Sequence, residues 1–188
     1  VQEIYRDGLG KGTSTGLETV DELFTVAPGQ LTIVTGLHNS GKSEFLDQIM
    51  INLAHNNSWK FAVASFENPP AFHIAKLAEK ITQRPFFKGL NPRMDEDQLN
   101  EAFEFIDNHF VFLDSRDGAV STIDSLIERF KQSVMRLGVR GIIIDPYNMI
   151  EREGEDETSS VSLLLTKLTT FCKAHDLHCW FVAHPAKM

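Results

Sequence analysis

One short segment constrains the fold of this chain more than its composition does. An apolar run, Leu31–Thr35, leads directly into Gly36–Ser43, whose sequence is GLHNSGKS. The residues that follow, Lys42–His55, carry apolar side chains at helical spacing. A buried strand, a glycine-containing turn and a helix in this order predict the phosphate-binding loop with the pattern GxxxxGK[ST].

The residue types in this loop suit an anionic ligand. Its glycines permit backbone angles that direct several N–H groups at one phosphate, and the following helix adds the positive end of its dipole. We expect Lys42 to reach the β- and γ-phosphates of a nucleotide and the Ser43 hydroxyl to bind Mg²⁺. The predicted nucleotide-binding residues of the loop are Gly36, Asn39, Ser40, Gly41, Lys42 and Ser43.

A second motif strengthens this interpretation. The segment Gly141–Asp145 (GIIID) is an apolar strand that ends in an acid. The carboxyl ends of parallel strands share one edge of a sheet, so Asp145 is expected beside the loop, where it would hold Mg²⁺ through its water shell. Many buried strands end in aspartate, so the prediction depends on the pairing with the loop.

Two further residues follow predicted strands and have weaker support. Glu67, after Phe61–Phe66, either orients and polarises an attacking water or is an exposed turn acid before two prolines. His184, after His178–Ala183, either hydrogen-bonds a γ-phosphate or has no role. Spacing alone leaves Glu67 open and favours no role for His184.

Strand and helix patterns alternate along the chain, which predicts a mainly parallel sheet covered by helices on both faces. Helical patterns cover 42–55, 71–81 and 96–109. A fourth starts at Ser121 or Thr122 and runs to Leu137, and a fifth opens at Ser159 or Ser160. Within them we expect Phe45 and Phe103 to face inward with their apolar neighbours. Five strands are predicted: Leu31–Thr35, Phe61–Phe66, Phe110–Leu113, Gly141–Ile144 and His178–Ala183.

Composition excludes several classes of protein. The 188 residues fit one domain, and no apolar run approaches the ~18–20 residues that span a bilayer, so no membrane association is expected. The formal net charge of −8 disfavours nucleic-acid binding through overall charge. Two cysteines, Cys172 and Cys179, fit a reducing compartment and are expected in the core. We expect a cytoplasmic protein of bacterial or phage origin, with an organelle as the alternative.

Taken together, the motifs resemble those of RecA-like ring helicases, and more closely the Twinkle and phage primase-helicase group with its DnaB-like relatives. The similarity extends over nearly all of Thr13–Met188 and is far more specific than the phosphate loop alone. Six segments carry it in the family's order: Thr15–Leu23, Pro28–Gly36, Asn39–Ser43, Ser65–Asn68, Asp145–Asn148 and Val182–Lys187.

The resemblance implies a RecA-like P-loop NTPase core that binds ATP and Mg²⁺. It favours Glu67 as the catalytic glutamate and His184 as the sensor of the γ-phosphate. It also implies a hexameric ring on single-stranded DNA, with a primase domain as a further possibility in the same chain. The DNA-contacting loops and the arginine finger of such proteins would lie beyond Met188. We therefore expect residues 1–12 to be a linker or arm and 13–188 to be a C-terminally truncated helicase domain.

Other functions remain open from the sequence. One alternative is a recombinase-type or clock-type ATPase, which shares the core without unwinding strands. Another is a nucleotide-binding module that docks a protein partner and turns over little. The 188 residues alone are expected to hydrolyse ATP weakly, since a missing arginine finger costs about 10³–10⁵-fold in related phosphoryl transfer.

Overall fold

The central element is a five-stranded, all-parallel sheet in the order β1-β5-β4-β2-β3. The computed structural model describes residues 5–6, 12–37, 39–66, 69–113, 122–145 and 157–183. The strands are β1 (Gln30–Thr35), β2 (Phe61–Ser65), β3 (Phe110–Phe112), β4 (Gly141–Asp145) and β5 (His178–Ala183). The last strand, β5, pairs with β1 on one side and with β4 on the other, so strands from the beginning and the end of the chain lie next to each other.

The described part of the chain contains six helices, of which the first precedes β1 and the other five lie between strands. They are α1 (Glu18–Asp21), α2 (Lys42–Asn57), α3 (Pro70–Thr82), α4 (Glu96–His109), α5 (Ile123–Leu137) and α6 (Glu157–His175). None of the described helices is both long and apolar enough to cross a membrane.

The helices form one layer on each face of the sheet. Buried side chains of α2, α3 and α4 pack with Phe61, Val63 and Val182 on one face. Buried side chains of α5 and α6 pack with Ala62, Ile142 and Phe181 on the other. Alternate residues of one strand thus enter opposite cores, which is why β2 and β4 are apolar at nearly every position. The predicted α/β architecture is confirmed. The prediction that the first strand is buried was wrong, because no residue of β1 is buried and Ile33 is 51% exposed at this edge of the described sheet.

Local sequence signals account for several helix ends. Asp95 begins α4 with a capping box, in which its carboxylate accepts from the backbone N–H of Gln98 at 2.8 Å. The Thr122 hydroxyl accepts from the N–H of Ser125 at 3.2 Å and begins α5. Gly138 ends the same helix with φ of 68°, a left-handed conformation that glycine adopts without strain.

Three predictions about helices were wrong in detail. Helix α6 begins at Glu157, before the predicted serines, and the short helix α1 was not predicted. Phe45 and Phe103 are 41% and 39% exposed instead of facing inward. In α4, Ile106 is buried on the predicted face and Leu99 packs against the core, whereas Ala102 is buried in place of the larger Phe103. Cys172 and Cys179 are buried as predicted.

We expect Gly141→Ala to destabilise the protein by about 1–3 kcal/mol through overpacking. A Cβ at this position would lie 2.4 Å from two ring carbons of Phe61 and 3.1 Å from Cζ3 of Trp180. Both rings are fully buried, so neither can move aside cheaply. Urea unfolding measures the effect. Gly89→Ala is the matched control because its Cβ would meet nothing within 4 Å, and equal stability of the two variants would contradict the prediction.

Candidate nucleotide-binding site

The predicted phosphate loop connects the end of β1 to the start of α2, at the carboxyl edge of the sheet. Asn39 and Gly41 adopt left-handed conformations, with φ of 58° and 86°. Glycine and asparagine are the residues that tolerate this region best, so the loop can turn sharply at both positions. The Ser40 N–H donates to the carbonyl of Leu37 at 3.3 Å. His38 lies outside the described residues.

The Lys42 side chain folds back over the loop. Its Nζ donates to the carbonyl oxygens of Gly36 at 2.9 Å and Leu37 at 2.8 Å. These two bonds hold the ammonium against the backbone at the start of the loop. A cation at this place, at the N-terminus of α2, suits a ligand with several negative charges.

Ser43 and Asp145 are 102 residues apart in the chain and in direct contact in the fold. The Ser43 hydroxyl donates to Oδ2 of Asp145 at 2.6 Å. Asp145 ends β4 and is only 8% exposed, while Ser43 lies in the first turn of α2. The parallel sheet brings the strand end and the helix start to the same edge, as the sequence predicted.

This pair of oxygen donors fits Mg²⁺. The ion prefers hard oxygen ligands and binds through one or two carboxylate or hydroxyl groups together with water and phosphate. A hydroxyl and a buried carboxylate within hydrogen-bond distance, beside a phosphate loop, supply that donor set.

Two predicted site residues, Glu67 and His184, lie outside the described residues. Their described neighbours are Phe66, just after β2, and Ala183, the last residue of β5. The Phe66 N–H donates to the backbone carbonyl of Asp145 at 2.9 Å, which attaches the start of the Glu67 segment to the strand that ends in Asp145. The roles of Glu67 and His184 stay predictions.

Sequence reasoning missed the polar contacts between α2 and α3. Asp47 of α2 and His73 of α3 form a buried hydrogen-bonded pair, with Oδ1 and Nε2 2.8 Å apart. Glu44 of α2 contacts Lys76 at 3.1 Å and Lys80 at 2.6 Å. The hydrogen bond from Lys80 is the largest influence holding the pKa of Glu44 below its usual value. A polar residue at a core position of a helix, directly after Leu46, was the available signal for Asp47.

A family model described as "AAA domain" matches residues 20–188. The Twinkle homolog protein, chloroplastic/mitochondrial, of Arabidopsis thaliana is 40% identical over 184 residues. That alignment covers 94% of this chain and 26% of the relative, so the chain spans about a quarter of the length of this curated protein.

Two solved structures share the fold. One, described as an ATPase domain, superposes with a TM-score of 0.80 at 17% identity. The superposition covers 99% of this chain and 68% of the other chain. The other is the structure of a DnaB-like replicative helicase and its interactions with primase. It superposes with a TM-score of 0.81 at 16% identity, and the superposition covers 99% of this chain and 48% of the helicase chain. At these identities the superpositions establish the fold alone: the chain shares the fold of these two proteins.

Proposed function

This chain belongs to the AAA domain family, and from that membership we propose that it is the motor domain of an ATP-dependent replicative DNA helicase. The observation that carries the proposal is the 2.6 Å contact between Ser43 and Asp145 beside the phosphate loop. It joins the two motifs that a nucleotide-hydrolysing site requires. The 40% identity to a Twinkle homolog supports a helicase over other proteins with this fold.

The proposed mechanism assigns one task to each residue. The backbone N–H groups of the loop and Lys42 bind the β- and γ-phosphates, and Ser43 and Asp145 hold Mg²⁺. When bound, that ion neutralises charge on the phosphate oxygens. Glu67 orients and deprotonates the attacking water, and His184 hydrogen-bonds the γ-phosphate and responds to its loss.

The proposal extends to the assembly. ATP sites of this kind lie between subunits of a ring, so we propose a hexamer in which the neighbouring subunit completes each site. Hydrolysis moves loops that hold single-stranded DNA. The resemblance to the primase-helicase group extends the proposal to a primase domain in the same chain. The relative from Arabidopsis is named as chloroplastic or mitochondrial, whereas the cytoplasmic location remains a prediction from the sequence.

ATP turnover in the natural full-length protein tests this proposal, measured with and without single-stranded DNA and compared with Lys42→Ala. We expect DNA to stimulate turnover and the variant to abolish it. Turnover that ignores DNA would favour a regulatory ATPase or a docking ATPase. Nucleotide binding with negligible turnover in the full-length protein would favour a docking module.

We expect Asp145→Asn to lower Mg²⁺-dependent turnover by about 10–100-fold, the range found when a group that orients a metal site is lost. The amide keeps the shape and can still accept from Ser43, but it removes the charge that favours the cation. A titration of turnover against Mg²⁺ concentration measures the effect, with the exposed Asp107→Asn as control. An unchanged Mg²⁺ requirement would remove Asp145 from the metal site.

A further inference from the structure

A buried polar contact joins the phosphate-loop helix α2 to the next helix, α3. Asp47 is 2% exposed and His73 is 8% exposed, and the imidazole Nε2 lies 2.8 Å from the carboxylate Oδ1. A carboxylate accepts hydrogen bonds, so the imidazole is the donor. The edge of the His73 ring also packs on Phe112 at 5.4 Å between ring centroids. The pair is therefore embedded in the apolar core between the helices and the sheet.

Stability alone does not account for such a pair. Desolvation of a buried polar or charged pair offsets much of the attraction, and apolar residues of similar volume often stabilise a core as well or better. A hydrogen bond differs from apolar packing in being directional, so it fixes one arrangement of two elements. The contact between Asp47 and His73 selects one position of α3 along and around α2.

That position matters because of what the two helices carry. Helix α2 begins with Lys42 and Ser43, and Asp47 follows them by about one turn. Helix α3 begins at Pro70, and His73 lies in its first turn. Only residues 66–69 separate the end of β2 from α3, and Glu67 is among them.

Both ends of this short segment are attached to the site. At its start, the Phe66 N–H donates to the carbonyl of Asp145 at 2.9 Å. At its end, the first turn of α3 is attached to α2 through His73 and Asp47. The two elements that flank residue 67 are therefore each attached to the site, β2 to the strand that ends in Asp145 and α3 to the phosphate-loop helix.

A second, partly exposed group of contacts also joins α2 to α3. Glu44, the neighbour of Ser43, pairs with Lys76 and Lys80 one and two turns along α3 from His73. Exposed ion pairs are screened and contribute little. The buried pair is therefore the stronger determinant of where α3 begins.

We propose that Asp47 and His73 are positioning residues for nucleotide hydrolysis: their hydrogen bond sets where α3 begins relative to the phosphate-loop helix, and residue 67 belongs to the short connection that leads into α3. This inference rests on the proposed function, because it needs Glu67 to act on a phosphate bound at Lys42 and Ser43. Neither residue is expected to touch the nucleotide.

The test uses the natural full-length protein with Asp47→Leu, His73→Leu and the double variant, and with Asp47→Asn as the conservative change. We expect each leucine variant to bind Mg-ATP within about threefold of the unchanged protein and to lose about 10–100-fold in kcat, the cost of a misplacement near 1 Å. The double variant should lose no more than either single one, since both remove the same bond. Asp47→Asn keeps an acceptor and should recover most of kcat.

The control is Asp124→Leu, which removes an ion pair with Lys167 at 2.8 Å between α5 and α6 on the opposite face of the sheet. It should leave kcat unchanged. Thermal melting of every variant separates positioning from stability: a kcat loss in a protein that melts at or above the original temperature supports positioning. If the leucine variants do not fold, Asp47→Asn is compared with Asp47→Ser, which is too short to reach the imidazole.

Three results would overturn the inference. Wild-type kcat in Asp47→Leu, or equal kcat in the Asn and Ser variants, removes the positioning role and leaves the proposed function standing. A full-length protein with no Lys42-dependent turnover overturns the proposed function and this assignment together.

Discussion

Replacing Lys42 with alanine is expected to weaken Mg-nucleotide binding by about 100-fold or more, the loss expected when charge-assisted hydrogen bonds to phosphate are removed. Nζ of Lys42 is held 2.9 Å and 2.8 Å from the carbonyl oxygens of Gly36 and Leu37, so the ammonium already lies within the loop. Alanine favours the helix and keeps the backbone of α2 intact. The loss is therefore one of charge and hydrogen bonding.

Isothermal calorimetry with Mg-ATP measures this effect. The control is Lys88→Ala, which removes the same charge from an exposed position between α3 and α4. It should bind nucleotide as the unchanged protein does. Tight Mg-ATP binding retained by Lys42→Ala would refute the assignment of Gly36–Ser43 as the phosphate site.

Glu67→Gln should leave nucleotide binding intact and reduce turnover by about 10²–10⁴-fold, the usual contribution of a general base. Glutamine has the size of glutamate and keeps a polar carbonyl, but it cannot take a proton from water. The segment that carries residue 67 begins at Phe66, whose N–H donates to Asp145, so the substitution changes one functional group next to a fixed strand end.

Steady-state turnover and nucleotide affinity are measured on the same preparation, so that an effect on kcat is distinguished from an effect on nucleotide binding. The exposed Glu101→Gln on α4 controls for the loss of one negative charge. Turnover near the normal rate would exclude Glu67 as the base. Weaker binding with unchanged kcat would instead make Glu67 a ligand-binding residue.

The site was more predictable than its surroundings because its residues follow a fixed order of elements. A strand before the loop and a helix after it placed Lys42 and Ser43 from local pattern alone. The position of Asp145 beside Ser43 was predicted from the pairing of the two motifs, together with the general property that the ends of parallel strands share one edge of a sheet.

The order of the strands in the sheet could not be predicted from the periodicity of apolar residues. Insertion of β5 between β1 and β4 depends on pairings between distant parts of the chain, and apolar strands buried on both faces look alike in sequence. The pair of Asp47 and His73 was missed for a related reason. A polar residue in a helix usually marks an exposed face, and only the partner on α3 makes burial acceptable.

The pairing of the first strand with the last has a consequence for how the chain is made. Thr32 and His178, which meet across β1 and β5, are 146 residues apart. At about 5–20 residues per second, a ribosome needs roughly 7–30 s to supply the second of these strands after the first. In the described sheet β1 pairs only with β5, so during this interval the strand before the phosphate loop has no partner strand. Nucleotide affinity that depends on the pairing of β1 with β5 is therefore acquired only after the last strand of the described sheet has been made.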